Sequence, residues 1–150
     1  VEEGSDHRSR PSRMHRVEKL ASHMLGGFTQ PPPASSGRPP ITSHVLDTGT
    51  GRPAQGVHIL LEAQRGSAWV EIGKGETNSD GRCPKLLPVD HKLVAGIYRC
   101  TFDTAQYYAA SGQRCFYPQV PIVFEVVKTD EHYHIPLLVS NFGFSTYRGS

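Results

Sequence analysis

No apolar run in this 150-residue chain approaches the ~20 residues that a membrane-spanning helix needs. Its start also lacks the basic, apolar and small-residue succession of a secretory signal. Membrane insertion is therefore not expected. Cysteine is scarce: Cys83, Cys100 and Cys115 are odd in number and lack C-x-x-C spacing. That argues against a disulfide scaffold or a structural zinc site and fits a reducing compartment. An excess of one charge is missing where it would matter. The net +2 resides in residues 1–40, with six Lys/Arg against four Asp/Glu, whereas residues 41–150 hold ten of each. A neutral folded part offers no field for nucleic acid or an anionic membrane surface.

What is present divides the chain near residue 40. Half of the twelve prolines lie in residues 1–40, with a single aromatic, Phe28. The stretch Thr29–Pro40 (TQPPPASSGRPP) is a linker by composition, unable to bury enough surface to offset chain entropy, and is expected to be extended and disordered. Upstream, Val17, Leu20 and Met24 recur at helical spacing within residues 14–25, which predicts a short amphipathic helix. Within it, Arg16-Val17, five residues and then His23-Met24 resemble a type 2 peroxisomal targeting signal over residues 16–24. Met14 offers a start that would place this signal at the very N-terminus. The resemblance implies a peroxisomal location and an import receptor as partner.

From Ile41 onward the hydrophobic period is mostly two. Gly56–Gln64 puts Val57, Ile59, Leu61 and Ala63 on one face; Ala68–Ile72 groups Ala68, Val70 and Ile72. Gly96–Phe102, Val120–Val127 and Tyr133–Val139 continue the pattern. Turn signals separate them at Gly73-Lys-Gly75, Asn78-Ser-Asp-Gly81 and Lys128-Thr-Asp-Glu131. Short strands so spaced predict an all-β sandwich. One interval breaks the rule. Asp103, with Gln106 three residues on and Gly112 at the end, predicts a helix of two turns over about 103–111. Pro136 cannot donate to a ladder and is expected at a bulge or where its nitrogen faces no neighbour. Phe142, Phe144 and Tyr147 extend the apolar run after Pro136–Val139 and read as core strand. The tail Tyr147-Arg148-Gly149-Ser150 then has little slack, so a phenol, a guanidinium, a hydroxyl and a carboxylate are delivered to one place.

His132 and His134 lie two apart on a strand, so both imidazoles leave one face. They read as the start of a zinc site lacking a third ligand, as ordinary hydrogen-bonded histidines, or as a general base suited to neutral pH. Arg82 follows a tight turn, either as a solvated charge or as a planar fork aimed at an oxygen-rich ligand. Ser150 has no G-x-S-x-G elbow around it, and the cysteines lie in or beside apolar runs, where burial leaves thiols inert.

Ser43-His-Val-Leu-Asp47, Gly51-Arg-Pro-Ala54, Thr77-Asn-Ser-Asp-Gly-Arg82, Gly96-Ile-Tyr98, Phe116-Tyr-Pro118, His132-Tyr-His-Ile-Pro-Leu-Leu138 and Ser145-Thr-Tyr-Arg-Gly-Ser150 appear in this order. Together they resemble the 5-hydroxyisourate hydrolases, transthyretin-related enzymes of purine breakdown, over residues 41–150. Transthyretins share several of these patterns but lack the histidines and the Tyr-Arg-Gly-Ser ending. Asn141 and Phe142 depart from the usual proline and aromatic. The resemblance implies a transthyretin-like sandwich of two four-stranded sheets with one short helix. It implies a homotetramer of two dimers with active sites in the channel between them, and hydrolysis of 5-hydroxyisourate without cofactor or metal. Its catalytic positions correspond to His44, Arg82, His134 and Ser150, with Tyr147, Arg148 and Gly149 joining His44, Arg82 and Ser150 in substrate binding. His132 is not among them. The rival reading is a carrier of thyroid hormone or another small aromatic ligand, which needs an open apolar pocket with few ionisable groups.

Overall fold

The computed structural model describes residues 37–150. The helix and targeting signal expected within residues 14–25, and the linker up to residue 36, lie outside the described residues. Eight strands and one helix follow in order: β1 (Ile41–Asp47), β2 (Arg52–Pro53), β3 (His58–Arg65), β4 (Ala68–Glu76), β5 (Gly96–Phe102), α1 (Thr104–Ala109), β6 (Val120–Val126), β7 (Tyr133–Val139) and β8 (Phe144–Thr146). They form two four-stranded sheets, β2-β1-β7-β8 and β4-β3-β5-β6. This is the expected all-β sandwich. No helix among the described residues is long and apolar enough to cross a membrane.

Alternation along each strand builds the core. In β1 the odd positions Ile41, Ser43, Val45 and Asp47 are buried and the even ones only partly so. Val57, Ile59, Leu61 and Ala63 face inward as the sequence predicts, meeting Tyr98, Cys100 and Phe102 of β5 and Ile135, Leu137 and Val139 of β7 in one cluster. All pairs are antiparallel save one: β1 and β7 run parallel, with Ile41 opposite Tyr133 and Thr42 opposite His134. Ser43 fastens that pair from the buried side, its hydroxyl donating to the Ile135 carbonyl at 2.8 Å.

Helix α1 occupies the predicted interval but is shorter. The Asp103 carboxylate accepts from the Gln106 N–H at 3.0 Å, the N-cap half of the expected box. The reciprocal half is not made: Gln106 Oε1 is buried without a partner among the described residues.

Two expectations are corrected. Gly73 and Gly75 do not form a turn; they lie inside β4, which continues to Glu76. A side chain at Gly73 would run into the Leu86 carbonyl, and one at Gly75 would come within 2.5 Å of Cys83 Sγ. The two glycines are where segment 83–87 packs down on the strand. Phe142, Phe144 and Tyr147 are not core within one chain: they are 82%, 39% and 61% exposed. Phe144 sits on the short edge strand β8 and meets Tyr117 edge-on at 5.1 Å, and Tyr117 meets Phe116 likewise at 5.0 Å.

Candidate active site

The parallel β1–β7 pair sends Thr42, His44 and His134 away from the core, onto the outer face of their sheet. Paired positions in a sheet project to the same side, so Thr42 and His134 are neighbours although 92 residues apart in sequence. Thr42 Oγ1 is 2.8 Å from His134 Nδ1 and 3.0 Å from His132 Nε2. One hydroxyl thus holds both imidazoles of the His132-x-His134 pair.

Arg82 is brought to the same face by its turn. Gly81 N–H donates to Asn78 O, Asn78 N–H donates to Arg82 O (both 2.8 Å), and Asn78 Oδ1 accepts from Asp80 N and Arg82 N. Gly81 has φ +74°, and a side chain there would collide with the Val45 carbonyl; Val45 N–H in turn donates to Gly81 O at 2.8 Å. Only glycine combines that dihedral with that proximity. The turn therefore lies flat on β1, with Arg82 bridged to His44. His44 Nε2 is 2.9 Å from the Asp80 carbonyl. A carbonyl only accepts, so Nε2 carries the hydrogen and the neutral ring has its lone pair on Nδ1.

The tail completes the arrangement. After β8, Tyr147 and Arg148 leave the ladder and Gly149 rejoins it, its N–H donating to the His134 carbonyl at 3.0 Å. Pro136 lies one residue beyond the β7–β8 pairs, where the departing chain presents no β8 partner for its absent N–H. Gly149 lies against the His134 ring: a Cβ there would stand 2.5 Å from Cδ2.

Arg38, Thr42, Ser43, Arg82, Cys83, Pro84, His132, His134 and Ser150 line a cleft of ≈ 330 Å³. The structure thus brings Arg82, His134 and Ser150 together, with His44 beside them on the Arg82 bridge. Tyr147 and Arg148 do not line this cleft within one chain. Arg148 turns away to Glu131 at 2.8 Å and stacks over Tyr133 at 4.8 Å, because that carboxylate and ring are its neighbours across the loop. The ion pair holds Glu131 below its ordinary pKa.

Burial first, then the Arg82 guanidinium, and then the His132, His44 and Arg38 charges hold the His134 pKa below its ordinary value. His132 is also lowered, by burial and then by Arg38, with the Pro39 carbonyl acting in the opposite sense. Both rings are therefore kept neutral near pH 7. The Cys83 thiol in the cleft wall is pushed up by burial, the opposite of nucleophile activation. No group of three His, Cys, Asp or Glu among the described residues converges as a metal-ligand set. Neutral imidazoles, the Arg82 guanidinium and the Ser150 hydroxyl suit proton transfer at an oxygen-rich, uncharged molecule.

The family model of the HIUase/transthyretin family matches residues 41–149. The chain belongs to that family. Among its relatives is the 5-hydroxyisourate hydrolase of Salmonella dublin, 43% identical over 110 residues, covering 73% of this chain and 80% of that one. The Arabidopsis thaliana protein named "Uric acid degradation bifunctional protein TTL" is 44% identical over 148 residues, covering 90% of this chain and 44% of that protein. The chain thus spans less than half of that relative, and the similarity reaches upstream of residue 41. Among solved structures, the Klebsiella pneumoniae 5-hydroxyisourate hydrolase superposes with TM-score 0.63 at 33% identity, covering 73% of this chain and 98% of that one.

Within this member of the HIUase/transthyretin family, sequence reasoning passed over Thr42, Arg38 and the hydrogen bond between His132 and Thr42. The signal for Thr42 is its place opposite His134 in a parallel register. Nothing local in the sequence states that β1 and β7 pair.

Proposed function

We propose that this chain hydrolyses 5-hydroxyisourate to 2-oxo-4-hydroxy-4-carboxy-5-ureidoimidazoline in urate degradation. The observation that carries this reading is a neutral His134 imidazole and the Arg82 guanidinium facing one cleft beside Ser150. It occurs in a chain whose relatives include enzymes named for that hydrolysis. The substrate is flat and rich in carbonyl oxygens. Water attacks a ring carbonyl, and negative charge grows on the carbonyl oxygen as the ring amide opens.

His134 or His44 takes the proton from water, a contribution of ~10²–10⁴-fold. Arg82 holds substrate oxygens and stabilises the developing charge. Ser150, by hydroxyl or carboxylate, orients the water or an imidazole. Tyr147, Arg148 and Gly149 shape the substrate's surroundings.

The assembly in this reading is a homotetramer, two dimers with their sites in a shared channel. The location of the imidazoles on an outer sheet face and the exposed Phe142 and Tyr147 support it. The Arg16-Val17…His23-Met24 pattern supports import into the peroxisome through the receptor that reads such signals.

The test is an ultraviolet time course of freshly made 5-hydroxyisourate. Its decay should be faster with this protein than in buffer, and His134→Asn should lower turnover by ~10²-fold or more while leaving the melting temperature near wild type. Equal decay with and without protein would end the hydrolytic reading.

A further inference from the structure

Thr42 stands between the two histidines in a way that a packing role does not require. Its Oγ1 meets His134 Nδ1 at 2.8 Å and His132 Nε2 at 3.0 Å. Each contact needs one hydrogen between its two heavy atoms, and a threonine hydroxyl brings a single hydrogen. At least one imidazole must therefore donate to Thr42. Which ring does so fixes which nitrogen of that ring keeps a lone pair.

The surroundings of His132 decide it. Its Nδ1 is buried and has no hydrogen-bond partner among the described residues, while the Pro39 backbone, which has no N–H and so acts through its carbonyl, favours the protonated ring. A lone pair on Nδ1 would be buried with no donor to meet it, at a cost of ~1–3 kcal/mol for the unsatisfied group, whereas an N–H there has surroundings that include the Pro39 carbonyl. The hydrogen of neutral His132 therefore belongs on Nδ1, which makes Nε2 the acceptor. Thr42 then donates to His132, and its oxygen accepts from Nδ1–H of His134.

The opposite edge of the His134 ring is closed as well. Gly149 backs onto Cβ, Cγ and Cδ2 so tightly that an added methyl would stand 2.5–3.1 Å from them. With Nδ1 fastened on one edge and Cδ2 walled on the other, Nε2 is the ring nitrogen left free.

We propose that Thr42 is a positioning residue that holds His134 in its Nδ1–H tautomer, leaving the Nε2 lone pair as the proton acceptor, with His132 as the anchor that orients the Thr42 hydroxyl. The proposal rests on the hydrolytic reading above and deepens it: it selects His134 Nε2 over His44. When Nε2 takes a proton from water, Nδ1–H remains hydrogen-bonded to Thr42, and no heavy atom needs to move.

The test pairs kinetics with a measurement that needs no substrate. Thr42→Val keeps the β-branched shape and removes the hydroxyl; Thr42→Ser restores the hydroxyl. Thr42→Val should lower kcat by about 10–100-fold with little change in KM, short of the ~10⁴-fold seen where a base is inverted to the wrong tautomer outright. Thr42→Ser should recover most of that loss, which a merely structural role would not predict. Wild-type kcat in Thr42→Val overturns the proposal. Long-range proton–nitrogen NMR on the wild-type protein should find His134 protonated at Nδ1 and not at Nε2. The reverse assignment overturns the proposal whether or not the protein is active, and this holds even if Thr42→Val does not fold. A protein that shows the expected tautomer but leaves 5-hydroxyisourate untouched keeps the positioning proposal and sinks the substrate assignment instead.

Discussion

His134 is touched by groups of unlike kinds: the Thr42 hydroxyl, the Gly149 backbone and, through space, the Arg82 charge. Burial and then Arg82 hold its pKa below the ordinary ~6.5. The neutral, proton-accepting ring therefore persists to lower pH than a free histidine would allow. The acid limb of kcat/KM should be centred below ~6.5, and initial rates across the acidic range will check it; a limb centred above that value contradicts the assignment of His134 as base. The stability linkage has the same direction. The unfolded ring binds its proton at higher pH than the folded one, so this contribution is complete above ~6.5 and is lost as pH falls through the folded value. At this scale the sequence was informative about residue type and silent about partners. The family resemblance singled out Arg82 and His134, which line one cleft, whereas Thr42 was passed over because it is a partner only across a parallel pair. Within one chain Arg148 faces Glu131, a contact set by a loop path that no local pattern encodes.

The elements show why some patterns were readable and others deceptive. The alternation in β3, β5 and β7 was legible because both faces have unlike surroundings, core on one side and solvent on the other. In β4 the alternation misled: Val70 is 45% exposed because an edge strand has less of the core beneath it. Its two glycines read as a turn, yet each marks a close approach of segment 83–87. Gly73→Ala should therefore destabilise by about 1–3 kcal/mol through overpacking, seen as a lower denaturant midpoint with an unchanged m-value. The tail makes the complementary case. Gly149→Ala should displace the His134 ring and lower kcat by roughly tenfold or more, while thermal stability changes little because the tail's outer atoms are exposed. A Gly149→Ala protein with wild-type turnover would remove the tail from the site.

At the scale of the whole chain, a face of polar, ionisable and aromatic groups lies uncovered by the other described residues of one copy. In the proposed tetramer other copies cover it and make the channel. Sedimentation velocity should give a species of about four times the chain mass, and residues appended after Ser150 should lower activity by filling that channel. A fully active monomer overturns the assembly. The sandwich itself was legible from strand number and turn spacing, as was the single helix. The order of strands within the sheets was not, since pairing depends on contacts between segments far apart.

The parallel pairing of β1 with β7 has a kinetic side. It joins segments some ninety residues apart, as the Thr42–His134 bond does across 92. Joining ends so distant demands a large loss of chain freedom before any contact rewards it, and topologies of this kind fold in milliseconds to seconds rather than microseconds. Strands β3 to β6 can zip locally by hairpins in the meantime. Recovery of enzymatic competence after denaturation will lag behind recovery of bulk sheet signal, since the imidazole acquires its neighbours only in the late docking of β1 against β7.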